Sequence, residues 1–191
     1  MQQDLADAAL VLVDVQNDFC PGGALPVPEG DKVVPALNRE IERFERARRP
    51  VIASRDWHPE QTTHFQSGGG PWPPHCVANQ PGAAFHPDLR LPATATVVSK
   101  GTGPTEDAYS AFQARDASGR PLDQILRDTG TRRLVVGGLA TDYCVRATVL
   151  DALRAGYQVE VLRDGVRGVD VRPGDSERAI EEMTAAGARL V

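Results

Sequence analysis

The chain has 191 residues, 41% hydrophobic and 25% charged, enough for one domain (1–191) with a sizeable core. Its net charge of −5 argues against a nucleic-acid or anionic-membrane partner, and no apolar run is long enough to span a bilayer. The opening MQQDLADAA lacks the basic-then-apolar order of a secretory leader, and an odd set of three cysteines without CxxC spacing argues against a disulfide framework, so a reducing cytoplasmic compartment is expected.

Residues 9–15, ALVLVDV, form a short continuous apolar run, the pattern of a strand buried on both faces. Val33, Val34, Leu37, Ile41 and Phe44 then recur at three- and four-residue steps, predicting an amphipathic helix capped by Asp31 and ended by ARRP. Further strands are predicted at 50–54 (PVIAS), 95–100 (ATVVSK), 133–138 (RLVVGG) and 157–164 (YQVEVLRD), with a short last one at 188–191. Helices are predicted at 121–130, with Pro in the first turn, and at 142–156 and 174–187, each closing on Gly. Strands alternating with helices imply an α/β fold, a three-layer α/β/α sandwich around a six-stranded, mostly parallel sheet of Rossmann-like topology. Residues 56–95 resist this reading. They show no periodicity, and six prolines fall between Pro71 and Pro92, so a stretch this long needs a functional reason.

Open parallel sheets bind ligands at the carboxyl ends of their strands. Asp14 lies at the end of the first strand, Asp56 and His58 close the second, Lys100 ends the third and Cys144 follows the fourth. Asp56 and His58, two apart in extended chain, point the same way and can face one cation, with His64 and His75 completing the shell. Carboxylate and imidazole donors suit zinc first, with iron and manganese as alternatives. A lone loop histidine would be read as a surface capping group; three of the chain's four within positions 58–75 favour a metal. Cys144, at a helix start on that rim, has the setting of a nucleophile favoured as thiolate, beside amides that can hold an oxyanion. Cys20 and Cys76 lack that setting. Asp14 and Lys100 form either a structural ion pair or a base with its stabilising cation.

VDVQNDFCPGG, RDWHPEQTTHF, WPPHCV, KGTG, AYSAF and GGLATDYCVRATV together resemble the nicotinamidases (pyrazinamidases) of the isochorismatase-like cysteine hydrolases, in order along nearly the whole chain. The resemblance implies a cysteine amidase that converts nicotinamide to nicotinate and ammonia through a thioester in NAD salvage, with one divalent metal ion as cofactor. It implies a triad of Asp14, Lys100 and Cys144; metal ligands Asp56, His58, His75 and His64; a cis peptide between Leu139 and Ala140; an oxyanion site at the Ala140 and Cys144 amides; and Phe19, Trp72 and Tyr109 around a small aromatic amide substrate. His86 has no ligand role in the family. Tyr143 departs from it, since relatives often carry His there. The resemblance leaves a homo-oligomer open. The alternatives are an N-carbamoyl amide hydrolase of the same superfamily, which lacks the D-x-H and distal histidine set, an isochorismatase, which does without the cysteine, and a non-enzymatic metal-binding domain.

Overall fold

The computed structural model describes residues 5–191; the first four residues of the polar N-terminal reading lie outside the described region. The strands β1 (Ala8–Val13), β2 (Val51–Asp56), β3 (Thr96–Lys100), β4 (Arg133–Leu139), β5 (Gln158–Arg167) and β6 (Arg189–Leu190) form one sheet in the order β3-β2-β1-β4-β5-β6. Every pairing is parallel, so the sheet is wholly rather than mostly so. The described residues form the α-helices α1 (Val34–Arg46), α2 (Leu122–Asp128), α3 (Arg146–Arg154) and α4 (Asp175–Ala185).

The continuous apolar run of β1 has a direct cause in this arrangement. Ala9, Val11 and Val13 face a core shared with α2, α3 and α4, whereas Ala8, Leu10 and Leu12 face a second core built on α1. Alternate side chains of a strand point to opposite faces, and here neither face meets water. Leu37, Ile41 and Phe44 bury the apolar stripe of α1 completely, each worth roughly 1.5–3 kcal/mol of burial.

Several boundaries differ from the sequence reading. Asp31 does not cap α1: it sits in a 3-10 turn, Gly30–Val33, that leads directly into the helix, and no side chain caps α1. β1 stops at Val13 because Asp14 takes a left-handed conformation (φ 48°), which Asp tolerates better than most residues. β5 runs to Arg167, past the predicted end, after a register shift opposite Val136–Gly138. Gly138 (φ +129°) sits where any β-carbon would collide with the carbonyl of Val13, so its glycine lets β1 and β4 end side by side. The segment after β2 is irregular as expected, carrying only single-turn 3-10 pieces at 66–68 and 81–83 and isolated bridges such as His58 to Val77.

Candidate active site

The strand ends deliver four charged or nucleophilic groups to one buried point. Lys100 is fully buried at the end of β3, beside Asp56 at the end of β2. Its ammonium lies 2.8 Å from Asp14 Oδ2 and 3.6 Å from Cys144 Sγ, donates to the Ala108 carbonyl at 3.3 Å, and makes a still closer contact with Asp56 Oδ1. Ser54 donates to Asp14 Oδ1 at 2.7 Å, and donor atoms of Asp14, Asp56 and Cys144 all lie within 4.8 Å of one another. The thiol is therefore within reach of the Asp14 carboxylate.

Burial dominates the electrostatics. It pushes the Cys144 thiol well above its ordinary value; Lys100 opposes that shift, and Asp14 and Asp56 add to it. The resting group is a thiol, where the helix-start setting alone suggested a thiolate. Burial also raises Asp14, against the pull of Lys100. At Asp56 burial works upward too, but Lys100 and His58 outweigh it and hold that carboxyl well below the usual range. Lys100 stays charged, because the two carboxylates more than offset its desolvation. Asp14 is thus the carboxylate suited to accept a proton, and Asp56 the one that remains anionic.

Cys144 differs locally from its predicted place in the first α-turn. It sits in a π-helical turn, Thr141–Val145, that joins β4 to α3. The peptide between Leu139 and Ala140 is cis.

The far side of Asp56 faces the histidines. Its Oδ2 lies 3.7 Å from His58 Nε2 and 4.0 Å from His75 Nε2. His58, His64 and His75 are all buried and offer ligand atoms within 4.8 Å of one another. Each ring uses Nδ1 on an oxygen: Gly101 O at 3.0 Å for His58, Asp107 Oδ1 at 2.7 Å for His64 and Pro73 O at 2.8 Å for His75. Those bonds place the proton on Nδ1 and leave the Nε2 lone pairs for a common centre. His58 Nε2 is buried with no hydrogen-bond partner among the described residues, as a metal-facing nitrogen would be. Burial lowers His64 and takes His75 down to about 4, so both present neutral rings. The donor set fits a divalent cation. His86 is not in that cluster, and its ring accepts from the Asp88 amide.

Phe19, Trp72 and Tyr109 line a cavity that opens onto Cys144, Asp56, His64 and His75. Trp72 Nε1 donates to the Tyr109 hydroxyl at 3.0 Å, which fixes two of those rings relative to each other. Tyr143 also lines the cavity, as do Leu25, Val27 and Val169, for which the sequence offers no signal. Tyr143 stands out in the sequence only as a departure from the family, and Val169 comes from the β5–α4 connection, which carries no local pattern.

The isochorismatase domain family matches residues 8–191 of the chain. The chain belongs to that family. Among its relatives is the nicotinamidase of Escherichia coli (strain K12), 49% identical over 198 residues that cover 95% of this chain and 93% of the relative. A pyrazinamidase of Pyrococcus horikoshii, solved in complex with zinc, is 50% identical, with a TM-score of 0.90 over 97% of this chain and 98% of that one. PnC1 from L. infantum, solved in complex with nicotinate, is 34% identical, with a TM-score of 0.88 over 100% of this chain and 95% of that one. No helix among the described residues of this family member is long and apolar enough to cross a membrane.

Proposed function

We propose that this chain is a metal-containing cysteine amidase that hydrolyses nicotinamide to nicotinate and ammonia, and pyrazinamide-type analogues likewise, in NAD salvage. The observation that carries this reading is the double use of Asp56. One of its oxygens meets the ammonium of a Lys–Asp–Cys cluster, and the other faces the Nε2 atoms of His58 and His75, which cluster with His64. A reacting thiol and a ring-binding cation would then share one wall of the same cavity. The names of the relatives, and the zinc and nicotinate of the two neighbours, agree with it.

Asp56, His58, His75 and His64 would hold the cation, zinc in first place and iron or manganese as alternatives. When bound, it supplies a Lewis-acid point for the pyridine nitrogen, directly or through water. Phe19, Trp72 and Tyr109 hold the flat ring and exclude water. Asp14 takes the thiol proton as the Cys144 sulfur attacks the carboxamide carbon. The Ala140 and Cys144 amides face the developing oxyanion, a donor of this kind being worth about 100- to 1000-fold in rate. Asp14 passes its proton to the departing nitrogen, the C–N bond breaks to release ammonia, and the acyl group stays on Cys144 as a thioester. Water, deprotonated by Asp14, then releases nicotinate and restores the thiol. Lys100 keeps its charge throughout and steadies the ionised forms of both partners.

Ammonia release from a panel of amides tests this. Nicotinamide and pyrazinamide should turn over, with benzamide, which lacks the ring nitrogen, roughly 100-fold or more slower in kcat/KM. Faster release from N-carbamoyl compounds would move the chain to the N-carbamoyl amidases of the same superfamily.

Gly101 offers a separate check on the metal site. A β-carbon there would lie 2.6 Å from His58 Nδ1, and the residue's φ of +65° also disfavours any side chain. Gly101→Ala should tilt the imidazole and weaken zinc binding about 10- to 100-fold, measured as metal per chain after dialysis. A full zinc complement in that variant would remove His58 from the ligand set.

We place the whole chain, 1–191, in one domain and in the cytoplasm, where its three cysteines, all free and buried, would stay reduced.

A further inference from the structure

We propose that Gln16 and Asp18 are positioning residues that set the two metal-bearing arms of the chain; the inference rests on the metal reading above. β1 ends at Val13, which pairs with Ser54, but β2 continues two residues further, to Asp56, which therefore has no strand neighbour on that side. Gln16 fills the place of the missing strand. Its side-chain amide acts as a substitute peptide: Oε1 accepts from the Asp56 N–H at 2.8 Å, and Nε2 donates to the Asp56 carbonyl at 2.8 Å. Nε2 also donates to the Ala83 carbonyl at 2.9 Å, and the side chain is fully buried. A glutamine clamped on both polar groups of one residue fixes that residue's peptide plane and, through it, the direction of its carboxylate. For Asp56 that direction decides whether one oxygen can meet Lys100 while the other faces the imidazoles.

Asp18 acts on the opposite arm. Its Oδ2 accepts from the Cys76 amide at 2.7 Å, and its Oδ1 accepts from the Ala24 amide at 3.1 Å. Cys76 follows His75 directly and holds a left-handed conformation (φ 46°), which this bond helps to enforce. Gly82 lies against the Asp18 carboxylate so closely that a β-carbon would collide with it. Two side chains of one short turn thus hold the backbone of one acid and of the residue beside one imidazole, from segments 40 and 58 positions away.

The test is zinc affinity, measured by competition with a chromophoric chelator, beside the unfolding midpoint of the metal-free protein and the kcat and KM for nicotinamide. Gln16→Met keeps the volume and loses all three bonds; Asp18→Asn keeps the shape and turns a donor or a weaker acceptor toward amides that need an acceptor. Each should bind zinc about 10- to 100-fold more weakly. Asn38→Ala is the comparison, because Asn38 also grips the irregular segment, through the Asp88 carbonyl and the Arg90 amide, but away from the imidazoles. It should lower the midpoint and leave zinc affinity as it was. Parental zinc affinity in either folded variant, or an equal loss in Asn38→Ala, overturns the proposal. If Gln16→Met does not fold, Gln16→Glu decides for that position, since it keeps an acceptor for the Asp56 amide and sets a second oxygen against two carbonyls. A parent chain that binds no zinc would defeat the metal reading itself, an outcome distinct from normal zinc affinity in the variants.

Discussion

Cys144→Ala should release ammonia from nicotinamide ~10⁴-fold or more slowly than the parent, the scale on which nucleophile removal acts in other hydrolases. The exchange deletes one buried sulfur from a well-packed turn, so the fold and the pocket walls survive it. Nicotinate should therefore still bind, as calorimetry or fluorescence quenching would register. That combination separates loss of chemistry from loss of the site. Undiminished turnover would show that another group attacks the amide. The resting thiol matters here: because burial keeps the proton on sulfur, attack needs a base within reach, and Asp14 is the carboxylate that burial has moved toward accepting one.

Lys100→Met should cost both activity and stability. The lysine is the cation that faces Asp14 and Asp56, both buried, and its removal leaves two carboxylates in a region of low polarity. Breaking such a buried pair from one side costs about 3–5 kcal/mol. For a chain of this length each kcal/mol moves Tm by about 2–4 °C, so a fall of roughly 6–20 °C is expected in matched zinc-free samples. Activity should vanish with it, since Asp14 would then protonate and lose its use as a base. A Tm within a degree of the parent would mean that the carboxylates are compensated by something other than this amine.

Much of this architecture was legible from residue patterns with a simple physical origin. A strand covered on both faces must be apolar throughout, so β1 and β4 read clearly; Leu37, Ile41 and Phe44 could mark α1 because helical spacing places them on one stripe. The rim residues were legible for a topological reason: parallel strands all end on one edge, so the last polar residue of each strand becomes a neighbour of the others. Nothing local could reveal the fine structure. Asp31 has the composition of a cap, yet the preceding 3-10 turn makes a cap unnecessary. The stop of β1 at Val13 is set by the left-handed Asp14, not by any change in hydrophobicity. Gln16 is polar in a buried place, and its partners, Asp56 and Ala83, are 40 and 67 positions away, beyond any pattern of spacing. Val169 and Leu25 become pocket walls only once distant connections fold over the rim.

The long irregular segment after β2 carries His58, His64 and His75 yet gains almost nothing from strand or helix pairing. A cation gripped by all three would tie positions 58 and 75 together as a staple does. Because such a site rarely exists in the unfolded chain, the free energy of binding the cation would add directly to the stability of the folded loop. With its thiols buried and unpaired, the chain would draw from a coordinate bond the cross-linking that secreted proteins of similar irregularity take from sulfur.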